Sequence, residues 1–343
     1  MTTRSTGPGP LPTREDAALG AVLGALVGDA AGAVLEFLGR PVEEADVAHA
    51  MTLPGGGTWS VAPGQVTDDG ELTMSLLTAL ATRPDDPTES AARRYAAWVA
   101  SDPFDIGATT AASLGCLRDP ERAKRAEREG AAAVMTATAR ERCMGSKANG
   151  SLMRATPLAV WGANRDSETV VLATMRDVRL SHPNEACVGA SVAYVLAIRH
   201  LVSEPGDVEG AIAHARAALQ SDHFTEPRLW LEEAIDGVAV PFTPQDGFVR
   251  IAFTHAFRHL VLGTRYEDAL RAVLGGGGDT DTNACIVGGL VGARWGMGAI
   301  PGHMTEKVLG SDHHAGSNPR PAELHPCAAP DFVRRLLRTT PPS

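Results

Sequence analysis

The sequence has few aromatic residues and little cysteine, and each shortage excludes a class of protein. Aromatic residues make up only 5% of 343 residues, so few large apolar anchors remain for a partner surface. The 5 cysteines are widely spaced and include no C-x-x-C pair, so neither a disulfide framework nor a zinc knuckle is indicated. Together with the abundance of alanine, glycine and leucine, this predicts a helical, enzyme-like protein of a reducing cytoplasm.

Basic runs and a secretory segment are also missing. The formal net charge is −10, which argues against binding to nucleic-acid phosphates or an anionic membrane. Residues 1–16 are rich in Pro, Thr and Gly, which predicts a flexible tail ahead of one domain over residues 17–343. The next stretch approaches membrane-span length but contains Asp29 and Glu36, so a buried helix is the better interpretation.

Strand-like alternation is scarce, whereas apolar residues recur at helical spacing through most of the chain. The pattern predicts a compact, single-domain, all-α fold with helices near residues 18–37, 69–82, 88–100, 121–140, 184–203, 207–220, 246–261 and 280–295. Proline and glycine breaks occur, but none forms a long linker, and we expect a monomer. Residues 311–327, SDHHAGSNPRPAELHPC, predict a long loop before a short helix around Phe332 to Leu337.

The first predicted helix has a face without side chains. This face consists of glycines four residues apart: Gly20, Gly24, Gly28 and Gly32. The favoured interpretation is that another helix packs closely against them. Asp29 and Glu36, seven residues apart, would lie on nearly one face of this apolar helix. Buried acids in that position need a cation, a hydrogen-bond network or a water-filled cleft.

Two acidic clusters precede helical runs, at residues 67–69 (TDD) and 279–282 (DTDT). Each alone fits helix capping, because Asp68 and Glu71 have capping-box spacing and acids favour a helix N-terminus. Together they offer carboxylate and hydroxyl oxygens suited to Mg²⁺, Mn²⁺ or Ca²⁺. Two such clusters would hold a metal pair, and Gly275–Gly278 would let the backbone turn sharply beside a ligand.

Other motif families fail on spacing. An EF-hand from Asp279 would need glycine in place of Ala284 and glutamate in place of Leu290. The glycine run lacks the Gly-Lys-Ser/Thr ending of a P-loop, and no G-x-S-x-G nucleophile elbow is present. A metal-free glycosidase with paired carboxylates stays possible, although the adjacent hydroxyls favour a metal site.

Five segments, in order, resemble the ADP-ribosylglycohydrolase family: GALVGDAAGAVLEF, GQVTDDGELTMSLL, KANGSLMRATPLAV, LSHPNEACVGA and GGGGDTDTNACIVGGLVGARWG. They cover about residues 24–296, and the combination of TDD with GGDTDTNA is specific, whereas either alone is weak. The resemblance implies a compact all-α fold with two Mg²⁺ or Mn²⁺ ions at the base of an ADP-ribose cleft.

The resemblance also implies roles for individual residues. The implied metal ligands are Thr67, Asp68, Asp69, Asp279, Asp281 and Thr282. Glu36 and Asp281 are the implied catalytic pair. The implied ADP-ribose-binding residues are Asn149, Gly150, Ser151, Met153, His182, Gly276, Gly277 and Gly278. Two alternatives stay open: Arg154 pairs with phosphate or with a structural carboxylate, and His182 is a ligand contact or a structural histidine.

The implied reaction is hydrolysis of the C1″ glycosidic bond of an ADP-ribosylated protein or small molecule, with arginine the preferred acceptor. A nucleic acid would enter only as an ADP-ribosylated nucleobase. The alternative function is a non-catalytic ADP-ribose sensor, or an immunity or regulatory partner of an ADP-ribosyltransferase. Gly70 stands where many relatives have threonine and lacks a hydroxyl that would support the metal carboxylates, which leaves metal affinity and choice open.

Overall fold

A computed structural model describes residues 11–85, 87–312 and 314–339 of the chain. Within these ranges it forms α-helices, short 3₁₀ turns and no β-strand. The first eight helices are α1 Arg14–Gly32, α2 Glu44–Ala50, α3 Asp68–Thr82, α4 Pro87–Ala100, α5 Ala108–Leu114, α6 Pro120–Glu129, α7 Ala131–Arg142 and α8 Thr156–Gly162. The others are α9 Ser167–Val178, α10 Glu185–Ser203, α11 Val208–Ala218, α12 Thr225–Ile235, α13 Val249–Leu262, α14 Tyr266–Leu274, α15 Thr280–Trp295, α16 Gly302–Leu309 and α17 Ala329–Arg338.

The all-α prediction is confirmed, and each predicted helical segment overlaps an observed helix. The first boundary was wrong: α1 begins at Arg14, inside the predicted tail, because the Thr13 hydroxyl caps the amide of Asp16 at 3.1 Å. Residues 1–10 of that tail lie outside the described residues, so its flexibility stays a prediction. The segment 121–140 is two helices, because Gly130 adopts φ +94° between them.

Helices α1 and α15 pack antiparallel through the predicted glycine face. A Cβ on Gly20 would lie 2.3 Å from the carbonyl oxygen of Gly292, and one on Gly28 would lie 2.1 Å from that of Ala284. The two backbones therefore approach within a distance that only glycine permits. At the end of this contact a Cβ on Gly32 would lie 2.3 Å from the Cα of Asp281. The end of α1 thus meets the start of α15, where the second acidic cluster lies.

The interior is built from apolar helices that lie under this pair. Helix α1 is buried from Ala17 to Gly32, as its composition predicted. Helix α10 is, by length and composition, the one helix in the described ranges that is apolar enough to cross a membrane. Most of it is buried inside the fold, which is typical of a central core helix.

Candidate active site

The two acidic clusters meet at the N-terminal ends of α3 and α15. The Thr282 hydroxyl donates to Asp69 Oδ2 at 3.2 Å, and the Thr67 hydroxyl lies 3.4 Å from Asp281 Oδ2. Each cluster therefore contributes a threonine hydroxyl to a carboxylate of the other. Four of the six predicted ligands, Thr67, Asp69, Asp281 and Thr282, therefore meet where the start of α3 lies against the start of α15. The metal-binding role of all six stays a prediction.

Asp29 on α1 holds the first cluster in place. Its carboxylate accepts the Thr67 hydroxyl at 2.8 Å, the Thr67 amide at 3.0 Å and the Gly70 amide at 2.8 Å. It thus satisfies free amides at the start of α3, a role usually played by the cap residue itself. The predicted capping box of Asp68 and Glu71 is wrong, because Thr67 is the N-cap and its own side chain caps nothing.

Gly70 makes room for that carboxylate. A Cβ at Gly70 would lie 2.6 Å from Asp29 Oδ2 and 2.5 Å from the Val66 Cβ. A threonine would therefore displace Asp29 or Val66. Glycine at position 70 therefore allows the Asp29 carboxylate to reach the backbone amide of residue 70.

Asp281 is shared by two groups of carboxylates. In the first group, one carboxylate oxygen from each residue lies within 4.8 Å of the other two, and the members are Asp29, Asp69 and Asp281. The second group meets the same distance limit and consists of Glu36, Asp105 and Asp281. Asp105 was missed by the sequence analysis because it lies in the irregular loop between α4 and α5. A lone acid in PFDIG has no periodicity or partner spacing to mark it, and only the fold brings it to the site.

The buried carboxylates of this centre need nearby positive charge in order to ionise. Burial, reinforced by neighbouring carboxylates, raises the pKa of Asp68, Asp69 and Asp281 well above the usual range. No Lys or Arg of the described ranges forms an ion pair with them. Asp69 Oδ1 is buried without any hydrogen-bond partner. Carboxylates and threonine hydroxyls in this arrangement fit Mg²⁺ or Mn²⁺, which take hard oxygen ligands.

Glu36 lies on a turn just beyond α1, and not on the helix face that the spacing predicted, because α1 ends at Gly32. Its Oε2 accepts the indole N–H of Trp59 at 2.6 Å, and its backbone carbonyl accepts the Thr58 hydroxyl at 2.8 Å. Burial and then Asp105 raise the pKa of Glu36 to about 8, and burial and then Asp279 raise that of Asp105 to about 7. Both acids therefore titrate near neutral pH.

The middle motif joins the centre through Asn149. Its side-chain amide donates to Asp279 Oδ2 at 2.7 Å, and its backbone N–H donates to the Gly247 carbonyl at 3.0 Å. Residues 149–155 form turns, and α8 begins only at Thr156. The Ser151 hydroxyl is buried without a partner, and Met153 is buried against the core. Their contacts with ADP-ribose stay predictions.

Arg154 is structural, which settles one open alternative. Its side chain is fully buried and donates to the carboxylate of Asp177 at 3.1 Å and to the carbonyl of Gly150 at 3.1 Å. Arg154 thus fixes the turn that carries Gly150. His182 lies against the same turn, with Nδ1 bonded to the Ser181 hydroxyl at 2.8 Å. Burial lowers the pKa of His182 to about 3, so its ring is neutral at physiological pH.

The glycine run before α15 is required by its own turn. Gly277 and Gly278 adopt φ +69° and +71°, a region that other residues rarely occupy. A Cβ on Gly276 would lie 2.1 Å from the ring of Phe242. The run therefore lets the loop around Phe242 pack against the start of α15. A contact between the run and ADP-ribose stays a prediction.

We expect the stability of the folded protein to depend on pH and on divalent cations, because several acids of the site are buried. The pKa values of Asp29, Asp105 and Glu36 rise from 3.8, 3.8 and 4.5 to about 7, about 7 and about 8. Between these two sets of values the folded protein binds more protons than the unfolded chain, so stability present below about pH 4 is lost progressively as pH rises to about 7 to 8. Without cations, Tm should fall over this range. A Mg²⁺ or Mn²⁺ concentration near 100 Kd should restore about 5 °C, most strongly at high pH. Scanning calorimetry with EDTA or cation checks this, and a Tm independent of both would contradict it.

Comparisons with known proteins agree with this geometry. The ADP-ribosylglycohydrolase family model matches residues 10–331. The ADP-ribosyl-[dinitrogen reductase] glycohydrolase of Rhodospirillum rubrum is 29% identical over 87% of this chain and 92% of its own length. The ADP-ribosylarginine hydrolase Tri1 of Pseudomonas putida (strain GB-1) is 26% identical over 87% of this chain and 76% of its own length.

Among solved structures, one titled "ADP-ribosylglycohydrolase-related protein complex" shares the fold. Its TM-score is 0.68 at 24% identity, and the alignment covers 95% of this chain and 99% of that one. The family match spans nearly the whole described fold, including both acidic clusters. The chain belongs to the ADP-ribosylglycohydrolase family, and it is a hydrolase of the class that cleaves glycosyl bonds.

Proposed function

We propose that this protein hydrolyses the C1″ bond between ADP-ribose and an arginine acceptor, with two bound Mg²⁺ or Mn²⁺ ions. The observation that carries the proposal is the merging of the two Asp-Thr clusters into one buried carboxylate centre beside Glu36 and Asp105. The Pseudomonas putida relative, named as an ADP-ribosylarginine hydrolase, supports the choice of acceptor.

The cations would be held by residues of both clusters. The proposed ligands are Thr67, Asp68, Asp69, Asp279, Asp281 and Thr282, with Asp281 common to both carboxylate groups. When bound, such ions supply positive charge that orients ribose hydroxyls and stabilises negative charge in the transition state. Asp29 would keep Thr67 and the start of α3 in register for this role.

The chain's own acids would then manage the protons. Hydrolysis adds the oxygen of water to C1″, breaks the bond from C1″ to the acceptor nitrogen, and delivers one proton to that nitrogen. Glu36 and Asp105 have oxygens within 4.8 Å of each other, beside Asp281. Two carboxylic groups so close can divide the work, one taking a proton from water and the other returning one to the leaving group. The indole of Trp59 fixes the orientation of the Glu36 carboxylate.

ADP-ribose would be held by two turns that adjoin the centre at Asp279. In the turn at residues 149–153, the Asn149 side chain donates a hydrogen bond to Asp279, and the Gly150 carbonyl accepts one from Arg154. Neutral His182, packed beside Gly150, would contribute a hydrogen bond and no charge. The turn at Gly276–Gly278 would allow close approach of the backbone to the ligand.

The surroundings of Glu36 and Asp105 suit a guanidinium group. Trp59 and Phe104 are half-buried, their ring centroids are 6.4 Å apart, and Phe104 immediately precedes Asp105. Aromatic faces and carboxylates together favour a flat cation over a neutral hydroxyl acceptor. The pair thus gives a physical reason for an arginine-linked substrate.

Substitutions of this pair test the choice of acceptor. Phe104→Leu should raise KM for an ADP-ribosylarginine peptide about 5-fold or more and leave KM for an ADP-ribosylserine peptide unchanged.

Trp59→Phe keeps a ring but loses the N–H donor to Glu36, so it should lower kcat for any substrate that the enzyme cleaves. Release of ADP-ribose, quantified by mass spectrometry, gives both constants. Phe332→Leu, at a half-buried ring on α17, is the matched control. Equal KM changes for both peptides would remove Phe104 from acceptor recognition.

A further inference from the structure

The long loop predicted at residues 311–327 is hydrogen-bonded to the segments that lead to Glu36 and Asp105. Three residues of this loop, Asn318–Arg320, form what is here called the strap. Its hydrogen bonds reach three separate segments that lead to site residues. These segments are the Trp59 loop, the approach to α3 and the loop that carries Asp105.

Asn318 bonds to the first two segments. Its side-chain amide donates to the backbone carbonyl of Trp59, the residue whose indole holds Glu36. Its own carbonyl accepts the side-chain N–H of Gln65 at 2.9 Å. Gln65 stands two residues before Thr67, and its Oε1 accepts the amide of Ala62 at 2.8 Å. One strap residue thus connects the Glu36 side of the site with the start of the first acidic cluster.

Arg320 bonds to α3 and to the Asp105 loop at once. Its guanidinium pairs with both carboxylate oxygens of Glu71, at 2.7 and 2.9 Å, and Glu71 also accepts the indole N–H of Trp98. The same guanidinium donates to the carbonyls of Ser101 and Asp102 at 2.9 and 3.2 Å, and to the Ser101 hydroxyl at 2.9 Å. Only a planar fork with several donors satisfies two segments in this way.

The Asp105 loop receives bonds from Arg320 and an ion pair from Arg118 to Asp102 at 3.5 Å. It spans residues 101–107 between α4 and α5, and Asp102 adopts φ +56°, a left-handed conformation that is unfavourable for a residue with a side chain. The carbonyl of Asp102 is one that Arg320 binds, three residues before Asp105. Loss of the guanidinium would release this conformation and let the Asp105 carboxylate move relative to Glu36 and Asp281.

We propose that the strap is a positioning element, in which Arg320 fixes Asp105 and Asn318 fixes the Trp59–Glu36 contact. The catalytic consequence rests on the proposed function, whereas the structural consequence does not. The competing explanation is that Arg320 only stabilises the fold as one half of a buried ion pair. That explanation predicts a lower Tm without a selective change at Asp105.

The test compares Arg320→Lys and Asn318→Ala with a matched control, Arg165→Lys. Arg165 and Arg320 are both 7% exposed, but Arg165 bonds to the carbonyls of Trp161 and Pro84. Lysine keeps the charge and loses the fork. Asn318 is half-buried, so Asn318→Ala keeps the test available if Arg320→Lys fails to fold. Hydrogen exchange is followed by mass spectrometry for peptides that cover residues 99–107 and 57–61, and kcat and KM are measured for ADP-ribose release.

In Arg320→Lys, exchange at residues 99–107 should rise about 10-fold or more, and kcat should fall about 10- to 100-fold with KM changed less than about twofold. In an Asp105→Asn background the same substitution should not lower kcat further. Asn318→Ala should raise exchange at residues 57–61, and Arg165→Lys should change neither peptide.

Unchanged exchange at residues 99–107 in Arg320→Lys, with wild-type kcat, would overturn the proposal, as would a kcat loss that multiplies with Asp105→Asn. If Arg320→Lys does not fold, unchanged exchange at residues 57–61 in Asn318→Ala overturns it. If the wild-type protein releases no ADP-ribose from any substrate, the proposed function fails, and hydrogen exchange alone decides the fate of the strap.

Discussion

Asp281→Asn should lower the rate of ADP-ribose release by more than about 100-fold, because partners that merely support metal ligands already contribute about 10- to 100-fold. Asp281 is the carboxylate shared by both groups of acids, and asparagine removes its charge while keeping one oxygen acceptor. The variant should therefore lose the increase in Tm caused by Mg²⁺ or Mn²⁺. Without cations it should melt no lower than wild type, because burial and Glu36 already raise the pKa of Asp281 and oppose its ionisation.

Asp268→Asn on α14 is the control, since Asp268 is an exposed aspartate outside the site. It should keep wild-type activity and the wild-type response to cations. Helical circular dichroism distinguishes the two explanations of the second acidic cluster. If Asp281→Asn loses its helical signal, Asp281 is needed mainly to cap α15. If the fold is kept and activity remains, Asp281 has no part in the reaction.

Gly28→Ala should reduce the free energy of unfolding by about 3 kcal/mol or more, as expected for overpacking against a backbone that cannot move aside. The new Cβ would lie 2.1 Å from the carbonyl oxygen of Ala284, so α1 and α15 would have to separate. Activity should fall with stability, because this contact brings Asp29 to the start of α3 and places Asp281 at the end of α1. Urea unfolding followed by circular dichroism measures the loss.

The sign of this effect is informative, since alanine in place of a helical glycine would otherwise stabilise the helix by about 1 kcal/mol. Gly302→Ala at the start of α16 provides the comparison, because a Cβ there meets nothing within 4 Å. It should be neutral or slightly stabilising. A Gly28→Ala protein as stable as wild type would show that α1 and α15 do not pack through their backbones.

The close-packing face of α1 and the position of the acids at helix starts were predictable because both leave periodic or spaced signals, whereas the identity of the partner helix, α15, was not. Glycines four apart mark a helix face that accepts a backbone, and DTDT before an apolar helix places acids at its N-terminus. Asp29 was noticed as a buried acid, but its role as an external cap of α3 depends on the α1–α3 geometry. No spacing within one helix encodes a cap supplied by another.

Asp105 and Arg320 lay beyond sequence reasoning for a related reason. Both stand in irregular segments, where hydrophobic periodicity says nothing about neighbours in space. The sequence left open whether Arg154 pairs with phosphate or with a structural carboxylate. The structure decides for the carboxylate, because Arg154 pairs with the buried Asp177 on α9. Such contacts between distant loops and helices arise from the whole fold, and no local motif records them.

The most direct test of the central claim is mass-spectrometric release of ADP-ribose from arginine-, serine- and nucleobase-linked substrates, each with Mg²⁺, Mn²⁺ or EDTA. We predict release that requires a divalent cation and is fastest from the arginine-linked substrate. Release that is unaffected by EDTA would contradict the carboxylate centre as a metal site. No release from any substrate, combined with measurable ADP-ribose binding, would contradict catalysis and favour an ADP-ribose sensor or a regulatory partner of an ADP-ribosyltransferase.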